Sequence, residues 1–395
     1  MTDALDVTRP TLLRRLLALT ATAAFSASAL VVAAPTSAQA AVVTPRPGPA
    51  VGVQFHGMWS DQTDAERAKA LDQYAASGMT WIRLDVSWSM LQPNGPGSYD
   101  SWGVNFVDRV ITMATSRGLK PLVTLWITPK WANGGAWKYD PPTNPADYAR
   151  VAEWAARRWA DKVPAWEVWN EPNHESYWGG TVLQYAALLR AAYPAFKRGN
   201  PNATVVLGGP SYNDVPWLTQ AYDAGAQGHF DVMATHPYQG MADLPPDAPD
   251  DGKIYRMRHV KAVYDLMVAR GDGAKKIWFT EFGWSTHANT ADVENWDRGV
   301  TLQQQADFCV RTLTMIAADY PYVTNVFFYR GRDGDADESP QNRNYGLLYR
   351  DLRPKPVMAA LKSYLGSPTL PAPKGKAWRG IARVRLAPAW RMTKP

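Results

Sequence analysis

The sequence predicts an α/β fold, a (β/α)8 TIM barrel that forms a single domain over residues 51–366. Short apolar runs of strand-like composition alternate eight times with helical patterns, which is the order expected for a parallel sheet with helices outside it. A stretch of this length fits the ~200 to over 400 residues that such barrels occupy. No G-x-G-x-x-G or P-loop motif follows the first strand-like run, which disfavours the rival open, doubly wound sheet.

The predicted elements follow one another in strict alternation. Strands are predicted at 51–55, 80–85, 121–126, 165–169, 204–209, 230–236, 276–280 and 324–329. Helices are predicted near 63–77, 102–117, 145–161, 181–199, 215–226, 254–270, 301–319 and 354–365. In the third helix, Asn144 is a suitable cap and Pro145 suits the first helical position. The apolar residues that follow share one face at helical spacing: Tyr148, Val151, Ala152, Ala155 and Trp159.

The first 40 residues are typical of a signal peptide. Arg14 and Arg15 precede an apolar run at 16–34, and the sequence AQA at 38–40 fits a cleavage site. The alternative is a transmembrane anchor, which the Ala/Thr/Ser-rich run and the cleavage site disfavour. We therefore expect a secreted or extracytoplasmic protein, and the arginine pair suggests twin-arginine export. Residues 41–50 are a proline-rich lead-in.

The net charge of +6 is concentrated in a basic, proline-rich tail at 367–395. This tail contains seven Lys and Arg residues and no acidic residue, so the barrel itself is mildly acidic. That distribution argues against a nucleic-acid-binding barrel. Weak, salt-sensitive attachment of the tail to an anionic cell envelope is one interpretation, and a solvated extension is the other. The single cysteine, Cys309, excludes an intrachain disulfide.

Two glutamates each end a predicted strand, where barrel enzymes place catalytic side chains. Glu171 follows the fourth strand in WNEPN, and Glu281 follows the seventh in TEFGW. Alternation along a strand predicts that positions 165, 167, 169 and 171 share one face, as do 277, 279 and 281. If these faces point inward, both carboxylates reach the mouth of the barrel. Cleavage of a glycosidic bond needs such a pair, with one carboxyl protonated and the other ionised.

The wider pattern resembles the clan A retaining glycoside hydrolases, in particular family 39 and family-5-like, cellulase-type enzymes. The resemblance spans roughly residues 50–365 and includes, in order, WIRLD, TPKWAN, WNEPN, THPY, TEFGWST and YGLLYRD…PKP. It implies that Glu171 is the general acid/base and that Glu281 is the nucleophile. The implied mechanism needs no metal or other cofactor, and the sequence contains no cluster with metal-ligand spacing.

The resemblance also implies contacts with the substrate. Asn170 would bond the sugar 2-hydroxyl, and Arg83 would lie near the nucleophile and favour its ionised form. Tyr238 would bond the nucleophile, His236 would line the floor, and His56 would contact a sugar.

Several of these residues have structural alternatives. Arg83 can instead pair only with Glu167 inside the barrel, because buried charges need partners. His56 and His236 can be hydrogen-bonded core residues. Aromatic residues at strand ends or in the following loops are further candidate sugar contacts, because ring faces stack on apolar sugar faces: Trp126, Trp131, Trp284 and Tyr329.

The end of the eighth strand departs from the pattern of the family. Clan A enzymes commonly carry a tryptophan there, and this chain has Tyr329-Arg330. The arginine is expected to favour an anionic or substituted sugar.

The sequence therefore predicts a secreted, retaining glycosidase that cleaves a β-linked polysaccharide internally. A barrel that binds carbohydrate without catalysis is one alternative, and the presence of both glutamates argues against it. A transglycosylase with the same chemistry is another, and the sequence does not separate it from a hydrolase.

Overall fold

The computed structural model describes residues 48–366, which form a closed barrel of eight parallel strands with helices between them. The strands are β1 Ala50–Gln54, β2 Trp81–Ser87, β3 Lys120–Trp126, β4 Ala165–Val168, β5 Thr204–Leu207, β6 Val232–Thr235, β7 Lys276–Phe282 and β8 Val323–Phe328. The α-helices are α1 Asp64–Ala76, α2 Trp88–Leu91, α3 Ser101–Thr115, α4 Pro145–Arg158, α5 Val182–Gly199, α6 Val215–Asp223, α7 Val260–Ala269, α8 Leu302–Asp319, α9 Pro340–Arg343 and α10 Pro356–Gly366. The predicted (β/α)8 fold is confirmed.

The barrel closes because β1 pairs in parallel with both β2 and β8, for example through Val53 with Ile82 and Val51 with Val326. The predicted seventh helix begins with a 3-10 turn at Met257–His259 and continues as α7. The short helices α2 and α9 lie in loops after β2 and β8 and were not predicted.

Three predicted segments lie outside the described residues, wholly or in large part. These are the predicted signal peptide at 1–40, most of the lead-in at 41–50 and the basic tail at 367–395. Within residues 48–366, every helix is too short or too polar to cross a lipid bilayer.

Local signals set the helix starts that place the loops above the barrel. In α4, the Asn144 side chain accepts from the Ala146 N–H, and Pro145 occupies the first turn. Three other helices begin with a capping box, in which a threonine and the side chain three residues later satisfy free N–H groups. The pairs are Thr63 and Glu66 in α1, Thr181 and Gln184 in α5, and Thr301 and Gln304 in α8.

The side chains inside the barrel change from apolar to polar along the strands. Its apolar layer consists of Leu122, Ala165, Val206, Val232, Ala234, Trp278 and Phe327. Two residues further along these strands the inward side chains are polar, as at Thr124, Glu167 and His236. The polar groups therefore collect near the carboxyl ends of the strands, where barrel enzymes carry their active sites.

Candidate active site

A cleft of about 400 Å³ opens at the carboxyl ends of the strands and contains both glutamates. It is lined by Glu171, His174, Tyr177, Ser211, Tyr212, Tyr238, Gln239, Ala242, Glu281, Gly283, Trp296, Tyr329, Gln341, Asn342 and Tyr345. These residues come from the ends of β4 to β8 and the loops that follow, although β4 and β7 are far apart in sequence. The closed barrel therefore brings Glu171 and Glu281 to one site.

Glu171 reaches the cleft because the extended backbone of β4 ends at Val168. Trp169 and Glu171 have positive φ angles of 74° and 42°, a region that residues other than glycine seldom adopt. Strand alternation therefore stops, and the prediction that Trp169 shares the inward face was wrong. Trp169 packs against Trp178 outside the barrel, while Asn170 and Glu171 both turn inward.

Glu281 is placed by an irregularity in β7, where the pairing with β8 shifts register between Phe279 and Phe282. Trp278 belongs to the apolar layer inside the barrel, whereas Ile277 and Phe279 pack in the outer core. The prediction that positions 277, 279 and 281 face inward was therefore wrong for Ile277 and Phe279. The shift lets Glu281 face inward, in the way that bulges commonly aim side chains near active sites.

Arg83, on β2, holds the groups around the carboxylates. Its guanidinium is fully buried and donates to Glu167 and to the side-chain oxygen of Asn170, each across 2.7 Å. It also donates to Gln54 across 2.8 Å and to Glu281. Burial acts to lower the pKa of Arg83, but the charges of Glu167 and Glu281 raise it overall. The arginine thus makes both the barrel pair and the contact with Glu281.

His236 lies between the two glutamates. Its Nδ1 is 2.8 Å from Glu171 and 3.8 Å from Glu281, and its Nε2 is 3.0 Å from the Thr280 hydroxyl. The ring can approach so closely because position 209 is a glycine, where a Cβ would lie 2.7 Å from Nε2. The imidazole is therefore fixed in position, fully buried, and bonded on both sides.

Tyr238 completes the contacts of Glu281 by donating its hydroxyl across 3.3 Å. One oxygen of each glutamate and one ring nitrogen of His236 all lie within 4.8 Å of one another, a spacing that metal ligands also show. Arg83 already places a positive charge on Glu281, and this charge opposes a cation at the same point.

Burial and charge set the protonation of these three groups. Burial raises the pKa of Glu281, with His236 and Arg83 opposing and Glu171 adding repulsion. For Glu171, burial acts in the same direction, but the hydrogen bond and charge of His236 lower the pKa overall. Burial acts to lower the pKa of His236, and the two carboxylates raise it overall. Because each group affects the others, the trio titrates as one unit.

Asp85 is a fourth titratable group that the sequence analysis did not single out. Its carboxylate accepts from Gln54 across 2.7 Å and lies 3.8 Å from His56. Burial raises the pKa of Asp85 to about 7; Arg83 opposes this shift, and Glu281 adds to it.

His56 lies beside the cleft, between charged neighbours that include Asp85 and Arg330. Burial and the nearby Arg330 hold its pKa well below the usual value. The ring stacks on Trp59 at 4.0 Å and meets Tyr329 edge-on at 5.6 Å.

Tyrosines rather than tryptophans form most of the aromatic wall. Tyr329, a predicted contact, lies in the cleft against Tyr238 and Tyr345, with ring centroids 6.3 and 5.5 Å away. Four further aromatic residues that line the cleft were not predicted: Tyr177, Tyr212, Tyr345 and Trp296. Each follows a predicted strand, so a search of every post-strand aromatic residue would have included them.

The three predicted tryptophan contacts have different positions. Trp126 is half-buried, stacks on Tyr139 at 5.2 Å and lies 6.3 Å from Tyr177, at the side of the cleft. Trp131 donates to the Gln92 carbonyl and packs in the loop after β3, outside the cleft lining.

Trp284 is a correction to the predicted contacts. It is 2% exposed, donates to the Leu244 carbonyl, and packs against Phe282 and Phe308. Trp284 therefore belongs to the core rather than to the wall of the cleft.

Arg330 does not present its charge to a sugar, contrary to the expectation. It is 2% exposed, makes two 2.8 Å bonds to Glu338, and lies 5.3 Å over the Trp59 ring. Its charge is therefore neutralised behind the cleft by the acidic loop that follows β8.

Together, the fold and the glutamate pair define a (β/α)8 glycoside hydrolase of clan A. A family model, cellulase (glycosyl hydrolase family 5), matches residues 44–328, and the chain belongs to this family.

Solved structures share the fold. A family 39 glycoside hydrolase from the gut symbiont Bacteroides cellulosilyticus WH2 has a TM-score of 0.64 at 24% identity, covering 81% of this chain and 64% of that one. GH5_18 from Streptomyces cattleya, in complex with GlcNAc, has a TM-score of 0.61 at 21% identity, covering 82% and 80%. At such identities the likeness concerns the fold alone.

Relatives found by sequence match over shorter stretches. Beta-glucosidase 40 of Arabidopsis thaliana is 29% identical over 139 residues, which are 32% of this chain and 27% of that protein. The beta-xylosidase of Caldicellulosiruptor saccharolyticus is 25% identical over 175 residues, 40% of this chain and 35% of that protein. The match thus spans 27% and 35% of the lengths of these two relatives.

Proposed function

We propose that this protein is an exported, retaining glycoside hydrolase that cleaves a β-linked polysaccharide, with Glu281 as the nucleophile and Glu171 as the acid/base. The observation that carries the proposal is the approach of the two carboxylates, whose nearest oxygens lie within 4.8 Å at the mouth of the barrel. Retaining enzymes keep their carboxyl groups about 5–5.5 Å apart, whereas inverting enzymes leave about 6.5–9.5 Å for a water molecule.

The contacts of each carboxylate support its role. The arginine contact and the Tyr238 hydroxyl hold Glu281 from two sides, which orients it for attack on the anomeric carbon. The bond from carbon to the leaving oxygen breaks as Glu171 donates its proton to that oxygen, and a glycosyl ester forms on Glu281. Glu171 then takes a proton from water, which attacks the same carbon and releases Glu281.

His236 is proposed to store the proton that Glu171 uses. The 2.8 Å bond between its Nδ1 and Glu171 allows one proton to move between the two groups. In the free enzyme the charge of Glu281 helps keep this proton in the site, since it raises the pKa of His236. Ester formation neutralises Glu281, so the trio then releases a proton more readily and Glu171 can act as the base.

The surface around the cleft supports a polymeric substrate that is cut internally. Among the described residues, the large exposed apolar side chains other than Val268 of α7 lie in the loops after the strands or in the first turn of the following helix. The aromatic ones in the loops are Trp59, Trp137, Tyr255 and Trp296. An aromatic surface on this face offers sugar-binding contacts on more than one side of the carboxylate pair.

Export and attachment are proposed from the two ends of the chain. Residues 1–40 match the pattern of a cleaved signal, which would place the enzyme outside the cytoplasm. The basic segment 367–395 would hold it weakly on an anionic cell envelope.

Replacing His236 by asparagine is expected to move the acidic limb of the kcat/KM profile to higher pH. The His236 charge lowers the pKa of both glutamates, so removing it raises both, and Glu281 becomes ionised only at higher pH. Rates between about pH 4 and 9 measure the shift, with His229→Asn as the control far from the cleft. A limb that stays in place or moves to lower pH contradicts the proposed role.

The test of the proposed function is the release of reducing ends by the purified protein. Xylan, mannan, β-glucans, galactan and bacterial exopolysaccharides form the panel. Wild type, Glu171→Gln and Glu281→Gln are compared with Glu175→Gln, which changes an exposed glutamate near the cleft. Activity on one polymer that both cleft variants lose, and that the control keeps, supports the proposal. Binding to one polymer without cleavage would instead indicate a carbohydrate-binding barrel, and products extended by an added acceptor sugar would indicate a transglycosylase.

A further inference from the structure

Trp296 lines the same cleft as the two glutamates, yet its side chain is left largely in solvent. It lies on the loop between β7 and α8, in the 3-10 turn Asn295–Asp297, and is 57% exposed. An indole in this position leaves apolar surface in water, at ~25 cal/mol per Å². A ligand that covers the ring face would remove that surface from water.

The turn that carries Trp296 is held by three separate segments. The Ala242 N–H, in the loop after β6, donates to the Asn295 carbonyl across 2.8 Å. His287, in the same loop as Trp296, bonds the Asp297 carbonyl at 2.9 Å, and Gln341, in the loop after β8, donates to the Trp296 carbonyl. The backbone under the indole is therefore fixed before any ligand arrives, which reduces the ordering that binding requires.

An ion pair and two amide hydrogen bonds also hold the loop that carries Trp296. Arg298 donates to Asp243 across 2.7 Å, which ties the turn to the loop after β6. The Asn289 side chain accepts from the Gly299 N–H at 2.6 Å and donates to its carbonyl at 3.1 Å. The loop thus has the fixed geometry of a binding surface rather than that of an open, unsupported loop.

Trp296 is separate from the reaction centre. The side chains that bond the two carboxylates include those of Arg83, Ser211, His236 and Tyr238. Trp296 and the exposed amide Asn342 line the same cleft and are not among these side chains. A flat apolar ring and a hydrogen-bonding amide in one cleft suit a pyranose, which has an apolar C–H face and hydroxyl groups at its edge.

We infer that Trp296, with Asn342, forms a distal sugar-binding subsite that holds a unit of the β-linked chain away from the bond being cleaved. This inference rests on the proposed function and specifies its substrate class: a chain longer than a disaccharide. The subsite binds the substrate and the transition state equally tightly. Its binding free energy therefore appears in KM rather than in kcat.

The test compares Trp296→Ala with wild type on β-1,4-linked cello- and manno-oligosaccharides of two to six sugars. Trp102→Ala is the matched control, because Trp102 is 67% exposed on the same face but packs on Phe106 of α3 outside the cleft. Trp296→Ala is expected to raise KM for the longest substrates about tenfold, with kcat within about twofold and a much smaller effect on disaccharides. Trp296→Phe, which keeps a ring, should recover part of the loss.

An equal KM change at every length, or none, would overturn the inference while leaving the proposed activity intact. If wild type cleaves neither series, retention of wild type and Trp296→Ala in gels that contain each panel polysaccharide replaces the kinetics. Retention that the alanine variant loses supports the subsite even though the proposed catalysis has failed. Equal retention of both proteins, or none of wild type, counts against it.

Discussion

Replacing Glu281 by alanine is expected to lower kcat by roughly 10⁴-fold or more, because the covalent intermediate can no longer form. Added azide can occupy the space left by the Glu281 carboxylate. It then attacks the anomeric carbon from the face that this carboxylate attacks in the wild-type enzyme. The product from a β-glycoside should then be the α-glycosyl azide. The anomeric configuration of this product, read by NMR, tests the assignment directly.

Replacing Glu171 by alanine should give the opposite stereochemistry. The loss of proton donation costs about 10²- to 10⁴-fold for a poor leaving group. It costs little in the first step for a 2,4-dinitrophenyl glycoside, whose leaving group needs no proton. Azide then attacks the glycosyl ester on Glu281 and gives the β-glycosyl azide.

This pair of variants is decisive because the pKa shifts of the two glutamates do not by themselves assign the acid and the nucleophile. In the free enzyme the pKa of Glu281 is raised and that of Glu171 is lowered, the reverse of the simplest acid and nucleophile assignment. Both directions depend on His236, whose proton is shared across the trio. An α-azide from the Glu171 variant and a β-azide from the Glu281 variant would exchange the two roles.

The fold was predictable because its signals are local. Strand composition, helical spacing and caps such as Asn144 with Pro145 act within a few residues, and the structure has strands and helices where they indicate. The two glutamates were predictable for a related reason: each sits where a strand-like run ends.

The details of the site depend on contacts between distant segments. The positive φ angles at Trp169 and Glu171 and the register shift in β7 break the alternation that places side chains on a regular strand. No short window of sequence reports such breaks, because neighbouring strands impose them. The same limit applies to Arg330, whose partner Glu338 lies across a turn of the loop that follows β8.

The cleft tyrosines show how chemical type can mislead. Three of the four predicted aromatic contacts were tryptophans, and one of them, Trp284, is buried in the core. Tyr345 lies far along the loop after β8 and enters the cleft because that loop folds back over the barrel, where the Tyr345 carbonyl accepts from the Arg330 N–H. A search of post-strand aromatic residues would include Tyr345, but only the path of the loop separates it from residues such as Trp284 that belong to the core.

Arg83→Met is expected to lower the free energy of unfolding by about 3–5 kcal/mol. Methionine fills a similar volume, but it leaves Glu167 and Glu281 buried without the positive charge that now joins them. Arg117→Met is the matched control, because Arg117 pairs with the exposed Asp72 at the surface and should contribute no more than about 1 kcal/mol. Urea unfolding of both variants measures the difference.

The loss of unfolding free energy in Arg83→Met should also depend on pH, and the direction of this dependence follows from the pKa of Glu281. Arg83 lowers the pKa of Glu281, so its removal raises that pKa further above the value in the unfolded chain. Above the unfolded value the folded variant then binds more protons than the unfolded one, and its stability falls as pH rises. The destabilisation is therefore expected to be larger at about pH 8 than at about pH 5.

A second substitution separates lost charge compensation from lost packing. Glu167→Gln removes one of the two stranded charges, so the Arg83→Met/Glu167→Gln double variant should be more stable than the sum of the two single losses predicts. If the double variant shows the full sum, and the Arg83→Met loss is the same at both pH values, Arg83 stabilises the barrel by packing alone. In that case Arg83 is not the common counter-ion of Glu167 and Glu281, and His236 and Tyr238 are left to stabilise the ionised nucleophile.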